Sequence, residues 1–334
     1  MPITIDQLLQ RVPPETEGIV RRARDQARAA IQEALRVECR LQLRMVTEDD
    51  PTGGHVQVPI EIAPGYPHSM KDITFDGDVE LLLLLIRFRE ALEQTNQNLP
   101  ILEQLRTVLS GNEKWTPWVT ITNGEIDKVH EWVKRLLELL GKDDPVQKLF
   151  AIRDDWLGVY QSWDDLNSED DRQPNRARIQ LYWGVIGLTS QWMPCEVEDL
   201  TIVVLAHELA HAYTQLGADI GGRRWLVRAF HQSESALKEG LAQYYTERVL
   251  TRLSARFGGA LNVYRRMLKG QPPAYRTHIP WTAGFSPEAI RRAMLEIRRW
   301  REMTVPEFEQ RLDAAQKGLE PVTKKQSLPN DDIL

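Results

Sequence analysis

The chain has 334 residues, 42% of them hydrophobic, enough apolar material for a sizeable core in one or two domains. A formal charge of -6 and a pI near 5.8 give no global attraction to nucleic acid or to an anionic membrane, so neither is expected as a partner. Two distant cysteines (Cys39 and Cys195), no basic-then-apolar leader in MPITIDQLLQRVPPE, and a longest apolar run confined to residues 79–86 point to a soluble cytoplasmic protein without disulfide framework, signal peptide or membrane span.

Residues 1–112 read as an accessory domain of helices and a hairpin, a small α/β unit. Residues 16–36 are rich in alanine and arginine with helical periodicity. Residues 40–47 and 55–62 alternate apolar and polar around DDPTGG, which predicts a β-hairpin. Residues 78–94 and 99–109 predict two further helices. The arginines at 21, 22, 24 and 28, and those at 291, 292, 298, 299 and 301, fall on predicted helices rich in acids and read as solvated faces.

A second, larger domain is expected over residues 113–317. Residues 125–140 form an amphipathic pattern that stops at Gly141, and residues 146–163 continue as helix. SWDDLNSEDDRQPNR, residues 162–176, reads as an exposed loop. ARIQLYWGVIGL, residues 177–188, is β-branched and aromatic and reads as a strand. A long helix over residues 196–216 follows, with Gly217 as its stop. Another is expected from Gln232 or Ser233 to about Phe257. Three shorter helices follow, one opening at Ser286-Pro287-Glu288 and another at Thr304-Val305-Pro306-Glu307, a capping residue followed by proline in the first turn. Residues 318–334 have little to bury and read as a flexible tail.

The chemistry concentrates in TIVVLAHELAHAYTQLG, residues 201–217. His207 and His211 are four apart and share one helix face, so both imidazoles can reach one point. Zinc takes neutral imidazole nitrogen at about 2.0–2.1 Å, and two such ligands one turn apart suit a tetrahedral site. Glu208 follows the first histidine, about 100° round the helix, placed to reach a water without itself binding the ion. Leu200, Val203, Val204, Leu205, Leu209 and Ala210 make the helix apolar nearly all round, so it is expected to be buried. Buried imidazoles need partners, and a metal is one. The alternative is a pair of core histidines satisfied by ordinary hydrogen bonds.

A third ligand is required, and Asp219, His231, Glu234, Glu239 and Glu247 are the candidates downstream. Glu239 is the strongest. It lies in LKEGLAQYYTE on the next long helix, near its apolar side, and the intervening chain is long enough for an antiparallel return. Gly240 and Ala242 beside it permit close approach.

HELAH followed by an EGLAQYY helix resembles the gluzincin metallopeptidases, over about residues 175–255. The resemblance implies an α+β, mainly α-helical fold, with a zincin-like catalytic domain built on a small sheet and an active-site helix. It makes His207, His211 and Glu239 the ligands of a Zn2+ ion and Glu208 the general base. It places ARIQLYWGVIGL as the edge strand that holds a peptide or protein substrate. Where some members carry an acid one turn after the glutamate ligand, this chain has Gln243; Glu234 and Asp219 are candidates to orient a histidine instead.

The expected activity is zinc-dependent hydrolysis of peptide bonds by a metal-activated water, with Glu208 moving the proton. Candidates to stabilise the oxyanion are Tyr244, Tyr245, His231 and the segment from Tyr275 to His278. Cys195 reads as structural. The competing readings are a zinc hydrolase acting on some other amide, a catalytically silent zinc-binding interaction module, and a regulator or toxin that cuts a single protein. The N-terminal domain would restrict access or engage a regulatory partner.

Overall fold

A computed structural model describes residues 3–45, 54–55, 58–75, 79–110, 116–143, 156–163, 176–193, 195–300 and 302–319. It is mainly helical with a small three-stranded sheet, an α+β arrangement. The strands are β1 (Ile3–Thr4), β2 (Arg44–Met45), β3 (Gly54–His55), β4 (Ile60–Ala63), β5 (Thr74–Phe75), β6 (Gly158–Trp163) and β7 (Arg176–Tyr182). The helices before the sheet closes are α1 (Ile5–Leu9), α2 (Glu15–Cys39), α3 (Val79–Ser110) and α4 (Thr116–Asp143). Those after it are α5 (Trp183–Trp192), α6 (Val197–Leu216), α7 (Val227–Gln232), α8 (Ser235–Arg252), α9 (Gly258–Gly270), α10 (His278–Gly284), α11 (Pro287–Ile297) and α12 (Val305–Lys317). No described helix is long and apolar enough to cross a membrane.

α6 is the axis of the core. Every residue from Leu200 to Leu216 is buried, and α2, α8, α9, β6 and β7 pack around it. Acids at Glu198 and Asp199 sit in its first turn, where the helix dipole favours them. Its C-terminus is held by a buried cation. The Arg298 guanidinium donates to the carbonyls of Gln215, Gly217 and Arg223, and burial pushes its pKa down to about 10. Gly217 ends the helix without left-handed backbone. Glycine is needed there because a Cβ would collide with the Tyr213 carbonyl and with Leu41.

α2 buries Val20, Ala23, Ala27, Ile31, Ala34 and Leu35 along one face and lies against both α6 and α8. The Tyr213 hydroxyl donates to the Gln32 carbonyl at 3.0 Å. Glu38, almost buried, accepts from Arg248 at 2.8 Å and from Arg252 at 2.7 Å. Gln42 and Ala218 exchange backbone bonds.

The sheet order is β4-β7-β6, with β4 parallel and β6 antiparallel to β7. β7 is therefore the central strand and β6 an edge, contrary to the expectation that the 177–188 segment is the edge. That segment also turns helical at Trp183. Residues 158–163, expected to be helical, are β6 instead; residues 146–155 and most of the expected acidic loop lie outside the described residues. The hairpin forms as a short β2–β3 ladder, Arg44↔His55 and Met45↔Gly54, but Ile60–Ala63 joins β7 rather than the hairpin. The two helices expected at 78–94 and 99–109 are one, α3, which runs through Pro100. The tail expected from residue 318 lies outside the described residues beyond 319.

The caps at Ser286 and Thr304 form as the sequence suggests. Ser286 Oγ accepts from the Ala289 N–H, and Thr304 and Glu307 make a reciprocal capping box.

Candidate metal centre

α6 and α8 pack side by side and bring three side chains to one point. The His207 and His211 Nε2 atoms are 3.2 Å apart. Glu239 Oε2 lies 3.3 Å from the first and 3.4 Å from the second. The three donors thus form a nearly equilateral triangle, and all three residues are buried. The three edges are longer than charge-assisted hydrogen bonds, which run to about 2.7–2.9 Å. A tetrahedral ion with ligands at about 2.0–2.1 Å has an edge of roughly 3.3–3.4 Å, the spacing seen. The donor set therefore fits a cation at its centre, and the buried group is able to hold a metal ion.

Burial on its own raises the Glu239 carboxyl pKa, but the neighbouring His211 and His207 imidazoles outweigh it and hold the group below the usual carboxylate range. The triangle is walled by rings. Tyr160 of β6 stacks on His211 with centroids 6.3 Å apart, and Tyr275 stacks on His207 at 6.0 Å. Phe230 of α7 meets His211 edge-on. Gly240, next to the glutamate, is covered by the Trp281 ring, so a side chain there would push α8 off α10.

Glu208 is 1% exposed and lines a narrow cavity beside His207. Trp156, Leu157, Val204, Met267 and Tyr275 supply apolar walls, and Gln243 and Gln271 supply amides. About 40 Å³ of it is open to water centres, room for a few waters. Gly158 is the point of closest approach between β6 and α6. A Cβ there would lie 2.8 Å from Val204 Cγ1 and 3.2 Å from Glu208 Cγ.

The register of β6 fixes its outward side. The Leu157 carbonyl accepts from the Tyr182 N–H at 3.0 Å, so odd-numbered residues face β7 and Gly158, Tyr160 and Ser162 turn their backbone polar groups to the outer edge. That edge runs beside the histidines. His231 caps its end, with Nε2 3.1 Å from the Ser162 carbonyl and 3.2 Å from the Ser162 hydroxyl.

The other sequence candidates are placed elsewhere. His231 is engaged with Ser162, and Tyr244 packs edge-on against Tyr245, about 140° round α8 from Glu239. Burial pushes the Tyr244 phenol up to about 12. Asp219 accepts from the Gly221 and Arg223 backbone N–H groups, which makes it a turn residue. Glu234 accepts from the Val305 N–H and ties α12 to α8. Glu247 lies 3.6 Å from His278, whose Nε2 also contacts the Tyr264 hydroxyl at 3.2 Å, a separate buried cluster. Cys195 is partly buried and its thiol is pushed up to about 12, so it stays protonated. Tyr160 and Gly158 were not foreseen, because they lie in the segment read as helix. Gln243 lines the cavity one turn after Glu239 and donates to Gln271.

No protein-family model matches this chain, and no curated protein or solved structure matches it.

Proposed function

We propose that the chain is a zinc-dependent peptide-bond hydrolase with a zincin-like site. The observation that carries this reading is the buried His207–His211–Glu239 triangle with edges of 3.2–3.4 Å. Imidazole donors suit zinc rather than the hard cations magnesium and calcium. An octahedral ion with ligands near 2.1 Å would draw its donors to about 3.0 Å, closer than these. Zinc held there supplies Lewis acidity and lowers the pKa of a water towards about 7.

The remaining work falls to the chain. Glu208, buried beside His207 at the cavity wall, accepts the proton from the attacking water and returns it to the leaving amine. The outer edge of β6, where Gly158 and Tyr160 turn their backbone polar groups away from β7, binds an extended substrate backbone as an added strand. Ser162 is already taken by His231, so pairing ends there. The cavity beside Glu208 is lined by apolar rings and two amides and admits an uncharged side chain of the substrate. Tyr275, stacked on His207, is better placed than Tyr244 to serve the oxyanion.

The test uses the full chain and its Glu208→Gln variant, each incubated with a cell lysate and compared by mass spectrometry of peptide termini. New termini with the wild type alone, a difference of about 10²–10⁴ in rate, are expected. Equal termini with both proteins, or none with either alongside release of a non-peptide amide, would overturn peptide-bond hydrolysis.

A further inference from the structure

The apolar surface of this protein is concentrated in one place. Among the described residues, most of the exposed large hydrophobic side chains lie on α3 and α4. These two helices pack on one another, and α3 also touches α5. On α4, Val129, Trp132 and Leu139 recur three and seven residues apart on the outside, while Val133 and Leu140 are buried. On α3, Ile101, Leu105 and Val108 form a similar stripe, with Val108 73% exposed. Each helix thus carries a second apolar stripe beyond the one that packs inward, and a helix with such a stripe needs another helix to cover it.

The stripes are contiguous. Leu102, Leu105 and Val129 line a groove of about 440 Å³ between the two helices. We infer that this face pairs α3 and α4 with the same two helices of a second copy, forming an antiparallel four-helix bundle across a two-fold axis. Two features favour a copy over another partner. Residues 88–110 carry two arginines against three glutamates, and residues 124–141 carry three basic against four acidic residues. A face this near neutral offers nothing to a polyanion or a strongly basic peptide and repels its own copy little. The size also suits a dimer. The face is about 30 Å long and about 20 Å wide, on the order of 600 Å² per copy and 1,200 Å² in total, within the range of specific interfaces. A groove flanked by apolar ridges is self-complementary under a two-fold rotation, ridge into groove.

The experiment is light scattering after size exclusion on the full chain from about 1 to 100 µM, with Leu105→Glu/Val129→Glu and, as a control off this face, Ile220→Glu. The wild type and the control should approach twice the chain mass of 38.5 kDa, and the double variant should stay at that mass with unchanged helical circular dichroism. If the double variant misfolds, hydrogen exchange on the wild type gives the readout: residues 95–109 and 125–139 should gain protection with concentration. A wild type that stays monomeric throughout, a double variant that still dimerises, or exchange that ignores concentration over these residues would overturn the inference.

Discussion

The three ligand candidates occupy positions that local chemistry dictates. Spacing of four on a helix puts His207 and His211 on one face, and the structure places their Nε2 atoms 3.2 Å apart. Glu239 was legible for a weaker reason, its place among Leu237, Leu241 and Tyr245, all buried. Tyr160 was not legible at all, since its ring reaches His211 only through a strand pairing that no local pattern announces. Glu247 shows how a residue set aside as a ligand still matters. The His278 imidazole 3.6 Å away lowers its pKa from the ordinary 4.5, against the opposing effect of burial. A carboxyl depressed in the folded state adds stability above its unfolded pKa and loses it as pH falls through the folded value. Glu247→Gln should therefore cost about 1 kcal/mol near pH 7, the half-exposed position screening the pair, and almost nothing below about pH 4. Urea unfolding at the two pH values reads this, and an equal loss at both would count against the contact with His278.

At the scale of elements, helices with strong periodicity and caps were readable, and of the sheet β7 and part of β4 were, while β6 and the strand order were not. α6, α8, α11 and α12 begin within a few residues of their sequence signals, and α6 also ends at its expected stop, Gly217; α8 ends at Arg252, short of the expected Phe257. β6 was missed because GVYQSW follows a helical pattern and becomes a strand only by pairing with β7. The 183–188 stretch was read as strand on its aromatic and β-branched content, yet it is helical and almost wholly buried. Gly187 there allows α5 to approach Val12 and Thr16. The helices expected at 78–94 and 99–109 run together as α3 through Pro100; the cost is one backbone hydrogen bond. β6 also carries the sharpest test at this scale. Gly158→Ala places a methyl 2.8 Å from Val204 Cγ1 and against Glu208, and should destabilise by about 1–3 kcal/mol. Turnover should fall further than metal content, because the ligands lie beyond the displaced contact. Unchanged stability and turnover would show that β6 does not hold Glu208 in place.

Across the whole molecule, the site depends on residues far from it in sequence. α2 covers α6 and is tied to α8 by the Glu38 pairs with Arg248 and Arg252. No sequence pattern pointed to that contact, since the amphipathic face of α2 shows that it is buried but not against what. Ile31, fully buried in the core, tests the dependence. Ile31→Ala should cost about 2–5 kcal/mol in chemical denaturation, and the loss of metal should track the loss of helix in one transition. Metal retained through an early unfolding step of α2 would separate the two. The central claim, that side chains from α6 and α8 converge on a single cation, is tested most directly by elemental analysis of the purified chain beside Glu239→Ala and His211→Ala. The account predicts close to one zinc per wild-type chain and little in either variant; a metal-free wild type that takes up no zinc on addition, or variants that bind it as tightly, would contradict it.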